Sequence, residues 1–164
     1  EDVEALWEFR NKSDVTSGLG GFTSGYSRKD LEAWIEFHRN SRDEVLYAIV
    51  DADTGKCVGH VGLYKIDHLS RKADFGILLG SPGYHGRGYG KKITKFLVEY
   101  GFRQLNLNKV TLSVLTTNAK AIALYEKIGF IREGVARQDV WRDGAFIDVV
   151  EMSILKSEWD QSHI

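Results

Sequence analysis

One short segment contains the strongest pattern in this chain: residues 77–92 read ILLGSPGYHGRGYGKK. An apolar stretch leads into glycines, and the glycines lead into an amphipathic run that continues to Tyr100. Glycine lets the backbone approach a ligand closely and adopt positive φ. The first turn of a helix presents unpaired N–H groups at the positive end of the helix dipole, a geometry that binds phosphate. The segment therefore predicts a strand, an anion-binding loop and a helix.

The spacing of these glycines excludes two common phosphate-binding templates. The P-loop needs four residues between its glycines and then Gly-Lys-Ser/Thr, whereas Lys91 is followed by Lys92. The dinucleotide pattern G-x-G-x-x-G fails because position 91 is lysine. Five glycines in residues 80–90, with Arg87 beside them, are more than a structural turn requires. We therefore interpret the segment as a ligand-binding loop.

Hydrophobic period, turn residues and caps predict the elements on either side of this segment. Helices are expected over 2–12, after the cap Ser27, from the glycine loop to near Leu105, and from the cap Asn118 to Ile128, where Gly129 ends the helix. Strands are expected at Val45–Val50, Cys57–Tyr64, Ala73–Leu79, Val110–Leu115 and on both sides of the Asp143-Gly144 turn, with a mobile loop over 16–27. The order predicts one α/β domain, residues 1–164, with a single mixed, mostly antiparallel central sheet flanked by helices.

A second pattern lies at residues 118–130, which read NAKAIALYEKIGF. Asn118, Ala121 and Tyr125 are spaced at i, i+3 and i+7, so they share one face of the predicted helix. Alone, this run would suit an ordinary amphipathic helix with a half-buried tyrosine. Together with the loop at 85–90, it resembles the GNAT superfamily of N-acetyltransferases. That family has an acetyl-CoA loop of the form Gln/Arg-x-x-Gly-x-Gly/Ala and a later helix of the form Asn-x-x-Ala-x-x-x-Tyr-x-x-x-Gly-Phe.

The resemblance is good over residues 45–155 and loose before them. The closing strands resemble the subgroup that holds ribosomal-protein N-terminal, spermidine and nucleotide-amino-sugar acetyltransferases. Two features depart from the family pattern. His85 stands where the family has Gln or Arg, and the family's first strand is apparently missing, because the chain opens on a predicted helix.

The resemblance implies that acetyl-CoA is the co-substrate and that it binds along both motifs. In the family, the strand before the loop splays from its neighbour and pairs with the pantetheine amides, and the loop binds the pyrophosphate. The cofactor-binding residues implied here are Ile77, Leu78, Leu79, His85, Gly86, Arg87, Gly88, Tyr89, Gly90, Lys91, Asn118, Ala121 and Tyr125.

The chemistry of such a site starts from a neutral amine, because an ammonium has no lone pair and an amine of pKa about 10 is mostly protonated at neutral pH. Direct attack on the thioester, in a ternary complex, develops negative charge on oxygen, which a backbone N–H near Leu78 or Leu79 would stabilise. The resemblance makes Tyr125 the general acid for the departing thiolate. Asp74 is our predicted base, acting through water, and His60 is the alternative.

Composition limits the remaining possibilities. The single cysteine, Cys57, and the absence of a basic segment before an apolar run predict a cytoplasmic protein without a disulfide framework. No apolar stretch approaches the ~18 residues of a membrane span. The net charge of −1 gives no reason to expect nucleic-acid binding, and the histidines and cysteine show no metal-ligand spacing. Residues 1–51 carry a net −5 and residues 83–127 a net +6, which suits a cationic ligand on one side and an anionic ligand on the other.

The acceptor is therefore expected to be a small-molecule amine or a peptide amine, and three classes stay open. A peptide N-terminus would need an open groove. A polyamine would suit Glu4, Glu8, Glu32 and Glu36, and a nucleotide-linked amino sugar would suit Trp7, Phe22, Tyr26 and Trp34. The alternatives to an enzyme are a non-catalytic acyl-CoA-binding regulatory module and a nucleotide-binding domain that uses the glycine loop. A homodimer through edge strands would be consistent with the family.

Overall fold

A computed structural model describes residues 2–19, 25–80 and 82–162, and six strands in it form one sheet. The strands are β1 (Val45–Val50), β2 (Cys57–Asp67), β3 (Lys72–Leu79), β4 (Lys109–Leu115), β5 (Ile131–Arg142) and β6 (Ala145–Leu155). Their order across the sheet is β1-β2-β3-β4-β6-β5, and only the β3–β4 pair is parallel. This arrangement confirms the predicted mixed, mostly antiparallel sheet. Within the described ranges, no strand precedes Val45.

Six helices accompany the sheet in the described part of the chain. They are α1 (Asp2–Arg10), α2 (Ser13–Thr16), α3 (Arg28–Asn40), α4 (Tyr89–Arg103), α5 (Ala119–Ile128) and α6 (Lys156–Ser162), with a 3-10 turn at Pro82–Tyr84. The sequence pattern missed α2 and α6 because neither is long enough to display a helical period. Helix α2 begins just before the segment predicted as a loop and ends at its first residue; residues 20–24 of that segment lie outside the described ranges. None of the described helices has both the length and the apolar character needed to cross a membrane.

Ser27 caps α3 as predicted, through two reciprocal hydrogen bonds with Asp30. The Ser27 hydroxyl accepts from the Asp30 backbone N–H at 3.2 Å, and the Asp30 carboxylate accepts from the Ser27 backbone N–H at 2.7 Å. This reciprocal pair satisfies two N–H groups that the helix itself leaves unpaired.

Replacing Ser27 with alanine is expected to lower the free energy of unfolding by about 1 kcal/mol, because one of these N–H groups loses its acceptor. Chemical denaturation with a common slope for both proteins measures the difference. Ser27→Asn is the matched control, since asparagine caps as well as serine and should restore the wild-type midpoint. An alanine variant as stable as the asparagine variant would contradict the role of the cap.

Two apolar clusters lie on opposite faces of the sheet. Helices α4 and α5 pack on one face, where Leu97 and Phe102 are fully buried together with Phe75 of β3. Helices α1, α2 and α3 cover the other face with a smaller cluster that includes Leu31 and, from β3, Leu78. Because successive strand residues point to opposite faces, the end of β3 contributes to both clusters. That end of β3 is where the cavity described below opens.

Candidate active site

The parallel strands β3 and β4 pair only at one end. Residues 72–74 pair with residues 109–111, and further along β3 stays paired with β2 while β4 stays paired with β6. The two strands therefore separate, and a cavity of about 890 Å³ extends into the gap. It is lined by Gly76, Ile77, Leu78 and Leu79 of β3 and by Leu112, Ser113 and Val114 of β4. The facing backbone edges of the two strands are thus open to an extended ligand that carries amide groups.

The glycine loop follows β3 at the mouth of this gap. Gly86 and Gly88 have φ of +74° and +82°, a region that disfavours side chains, and there is open space where a Cβ would stand at either position. Gly88 is the N-cap of α4 and offers no side chain to the first-turn N–H groups. The cations Arg87, Lys91 and Lys92 are exposed, and no carboxylate among the described residues pairs with them. These features fit a diphosphate, which the bare N–H groups and the three cations would bind.

Two side chains hold the start of this loop in place. The ring nitrogen Nε2 of His85 donates to the Leu79 carbonyl at 3.0 Å, so His85 ties the loop to the end of β3. The Tyr84 hydroxyl donates to Asp51 Oδ2 at 2.7 Å, which ties the loop to the turn between β1 and β2. The departure from the family pattern at position 85 therefore has a structural role in this chain.

Replacing Tyr84 with phenylalanine is expected to raise the pKa of Asp51. The Tyr84 hydroxyl, followed by Thr54, holds that pKa at about 2 in the folded protein. A carboxyl pKa below its unfolded value contributes stability above pH ~4, and this contribution is lost as the pH falls toward 2. The variant should lose part of it and unfold at a slightly higher pH.

A carbon-detected NMR titration of the Asp51 carboxyl group measures this change. Tyr89→Phe is the control, because the Tyr89 ring lies 5.8 Å from the Tyr84 ring but no described hydrogen bond joins its hydroxyl to Asp51. An Asp51 titration curve that is the same in wild type and Tyr84→Phe would contradict the assignment.

Tyr125 reaches the cavity from α5. The residue is 8% exposed, and its ring packs edge-on against Phe75 and at a tilt against Phe130. No described residue hydrogen-bonds to its hydroxyl, and every fully buried side-chain oxygen in the described structure has a partner, so this hydroxyl faces the cavity. Burial raises the pKa of Tyr125 to about 12. The group is a neutral phenol with a proton to donate throughout the physiological range.

Two other predicted site residues are held by protein partners. The Asn118 side-chain oxygen accepts from the Ala121 N–H at 3.1 Å as the cap of α5, and its amide donates to the Gly18 carbonyl at 3.3 Å. Asp74 does not line the cavity; its carboxylate accepts from Thr111 at 2.6 Å and pairs with Lys65 at 3.2 Å. The structure thus brings Asn118 to the site and leaves Asp74 outside it.

The far part of the cavity lies between the sheet and helices α1 and α3. Its wall includes Arg10, Trp34, His60 and Tyr64, of which only His60 and Trp34 had been considered as site residues from the sequence. The Tyr64 ring lies across Gly62 and Gly76, where a Cβ would meet it at 2.6 and 3.1 Å. No local motif marks these positions, because they come from three separate elements, α1, α3 and β2. The described residues include no group of three or more His, Cys, Asp or Glu side chains placed to hold a metal ion.

Comparisons with known proteins agree with this geometry. Residues 1–131 match the family model described as an acetyltransferase (GNAT) domain. A spermidine N(1)-acetyltransferase from Vibrio cholerae is 32% identical over 96% of this chain and 90% of its own length, and its counterpart from Escherichia coli is 36% identical over 70% of this chain and 61% of its own length. The crystal structure of the Vibrio cholerae spermidine N-acetyltransferase in complex with CoA and spermine superposes with a TM-score of 0.89, at 29% identity, over 96% of this chain and 92% of that one.

The fold is that of an acetyltransferase domain. The chain belongs to the GNAT acetyltransferase family. It is an acetyl-CoA-dependent N-acetyltransferase, with acetyl-CoA as its co-substrate and an amine as its acceptor.

Proposed function

We propose that this acetyltransferase passes the acetyl group directly to a primary amine while both substrates occupy the 890 Å³ cavity. The supporting observation is that one cavity contains the open edges of β3 and β4 and the Tyr125 phenol, with the glycine loop at its mouth. Acetyl-CoA supplies an acetyl group activated as a thioester. The protein supplies the alignment, a proton donor and a site from which water is partly excluded.

The proposed binding groups for acetyl-CoA follow the cavity from end to end. The backbone of Ile77, Leu78 and Leu79 pairs with the pantetheine amides, and a backbone N–H of Leu78 or Leu79 stabilises the charge that develops on the thioester oxygen. Gly86–Gly90 and the cations Arg87 and Lys91 bind the diphosphate. Asn118 keeps one amide hydrogen for the pantetheine arm, and the small side chain of Ala121 leaves room beside it. His85 contributes by holding the loop against Leu79.

Tyr125 is the proposed general acid. As the carbon–sulfur bond breaks, the electron pair goes to sulfur, and the Tyr125 hydroxyl gives it a proton. The Tyr125 phenolate then takes a proton back from water in the cavity. The pKa of about 12 means that Tyr125 does not ionise below pH ~11, so it imposes no fall in activity over the usual assay range.

The amine proton leaves through water in the cavity rather than to a dedicated side chain. Asp74 is outside the cavity and already has two partners. The His60 ring nitrogen Nε2 faces the Arg10 guanidinium at 3.4 Å, so its lone pair is not free for an amine. The Arg10 charge and the apolar wall both disfavour an ammonium, and the pKa of a bound amine is lowered accordingly.

The test combines calorimetry with an assay of thiol release. Titration with acetyl-CoA should give a one-to-one isotherm. Thiol should then be released in the presence of at least one of three acceptors: spermidine, an amino-sugar nucleotide, or a peptide that begins with Ala or Ser. Binding of acetyl-CoA without thiol release from any amine would contradict the proposed function and favour a non-catalytic acyl-CoA-binding module. If ATP displaced acetyl-CoA, and if CoA with and without the acetyl group bound equally well, a nucleotide-binding domain would be favoured instead.

A further inference from the structure

The cavity is lined by cationic and neutral groups. Its ionisable side chains are Arg10, His38, His60, Tyr64, His85, Lys120 and Tyr125, and none of the described residues that line it is Asp or Glu. A site that binds a polycation is expected to present carboxylates to the ligand. The described residues of this cavity wall provide none.

The acidic residues that suggested a polyamine point elsewhere. Glu4 pairs with Arg28 at 2.6 Å, Glu8 lies 3.5 Å from Lys12, and both pairs are solvent-exposed. Glu36 accepts from the Asn40 side chain one helical turn away. None of these glutamates, nor Glu32, lines the cavity. Their negative charge therefore lies on the outer surface of α1 and α3, where it does not attract a cation into the cavity.

Arg10, the last residue of α1, is a cation in the wall of the far part of the cavity. Its guanidinium carbon lies 5.7 Å from the centre of the Tyr26 ring and 5.4 Å from that of Trp34, so two aromatic rings fix its position. Arg28 and Arg132 each have a glutamate partner, whereas no carboxylate of the described residues pairs with Arg10. Most of its five N–H donors are therefore available to a ligand.

His60 orients this guanidinium and adds no charge of its own. A guanidinium can only donate, so Nε2 of His60 accepts from Arg10 at 3.4 Å, and Nδ1 carries the proton toward the Tyr64 hydroxyl at 3.5 Å. Burial, with the nearby charges of Arg10 and His38, lowers the pKa of His60 to about 3. Arg10 is therefore the permanent cation of this part of the cavity, and His38, on the same wall, pairs with Glu44.

We propose that Arg10 binds an anionic group of the acetyl acceptor, so that the acceptor is a primary amine which also carries a carboxylate or a phosphate. This inference rests on the proposed function and names its substrate class. A planar guanidinium beside two aromatic rings is suited to two parallel hydrogen bonds with either anion. A polyamine would instead bring a second ammonium toward Arg10, and like charges in a site of low dielectric repel each other.

The test compares paired acceptors that either carry or lack an anionic group. The pairs are 4-aminobutanoate with 4-aminobutanamide, and 2-aminoethyl phosphate with 2-aminoethanol; spermidine is the polycation. For one of the two pairs, the wild type should show a kcat/KM at least ten times higher for the anionic member than for the neutral one. A preference in the first pair indicates a carboxylate site, and a preference in the second pair indicates a phosphate site. Arg10→Gln should reduce that ratio by tenfold or more and should raise kcat/KM for spermidine relative to the anionic amine.

Two further variants keep the result interpretable. Arg10→Lys retains the charge without the bidentate geometry, so its ratio should fall between those of wild type and Arg10→Gln. Arg28→Gln removes a cation that lies outside the cavity, and its ratio should equal that of wild type. Calorimetry with acetyl-CoA verifies that each variant is folded and binds its donor.

The possible failures are distinguishable. Thiol release with a preference for spermidine or for the neutral amines, or an unchanged ratio in Arg10→Gln, would overturn this inference and leave the proposed function standing. Acetyl-CoA binding with no thiol release from any acceptor would overturn the proposed function itself.

Discussion

Replacing Tyr125 with phenylalanine is expected to lower kcat by about 10²–10⁴, the usual contribution of one general acid. The hydroxyl group is the only part of Tyr125 that is removed, and no described residue hydrogen-bonds to it. The dissociation constant for acetyl-CoA and the free energy of unfolding should therefore change little. Steady-state kinetics, calorimetry and urea unfolding on the same preparation measure the three quantities. Because the pKa of Tyr125 is about 12, the loss should be constant from pH 6 to pH 10.

Tyr64→Phe is the matched control for this variant. Tyr64 is a second tyrosine of the same cavity wall, and burial raises its pKa to about 12 as well. Its hydroxyl makes one long contact with His60 at 3.5 Å. We expect its kcat to fall by less than tenfold. Equal losses in the two variants, or a Tyr125→Phe loss that appears in acetyl-CoA affinity and not in kcat, would contradict the assignment of Tyr125 as the general acid.

Replacing Gly59 with alanine is expected to destabilise the protein by about 3 kcal/mol, the upper end of the range for overpacked interiors. A Cβ at Gly59 would lie 2.0 Å from the Leu78 carbonyl oxygen and 3.2 Å from the Leu79 Cα. Both are backbone atoms, so no side-chain rotation can relieve the contact. Strand β2 would have to move away from β3 where β3 forms the wall of the acetyl-CoA cavity. The unfolding midpoint in urea should fall, and the KM for acetyl-CoA should rise.

Gly134→Ala is the control for this substitution. Gly134 is also a strand glycine, in the edge strand β5, but a Cβ there would meet nothing within 4 Å. Its free energy of unfolding should stay within about 0.5 kcal/mol of the wild-type value, as for other surface substitutions. If Gly59→Ala unfolded at the same urea concentration as Gly134→Ala, the close approach of the Leu78 carbonyl would be disproved.

Patterns within single segments were sufficient for the six strands and the four longer helices, and they located the glycine loop. The helix caps Ser27 and Asn118, the strand bounds of β1 and the glycine loop are local features, because each depends on residues within a few positions along the chain. The family resemblance added the separation of β3 from its neighbour, which the pairing of the strands confirms. The predicted cofactor-binding residues and the cytoplasmic location stay predictions, as does the homodimer.

The far part of the cavity, where we propose that the acceptor binds, depends on the tertiary structure alone. Arg10 and His60 are 50 residues apart in the chain. Only the packing of α1 and α3 on the sheet places them in one wall with Trp34 and Tyr64. The same packing turns the glutamates of the first quarter outward, so a charge count along the sequence pointed to a cation where the cavity presents a guanidinium. Local patterns record hydrogen bonds and hydrophobic period within a segment, whereas the charge of a cavity depends on which side chains from distant segments meet there.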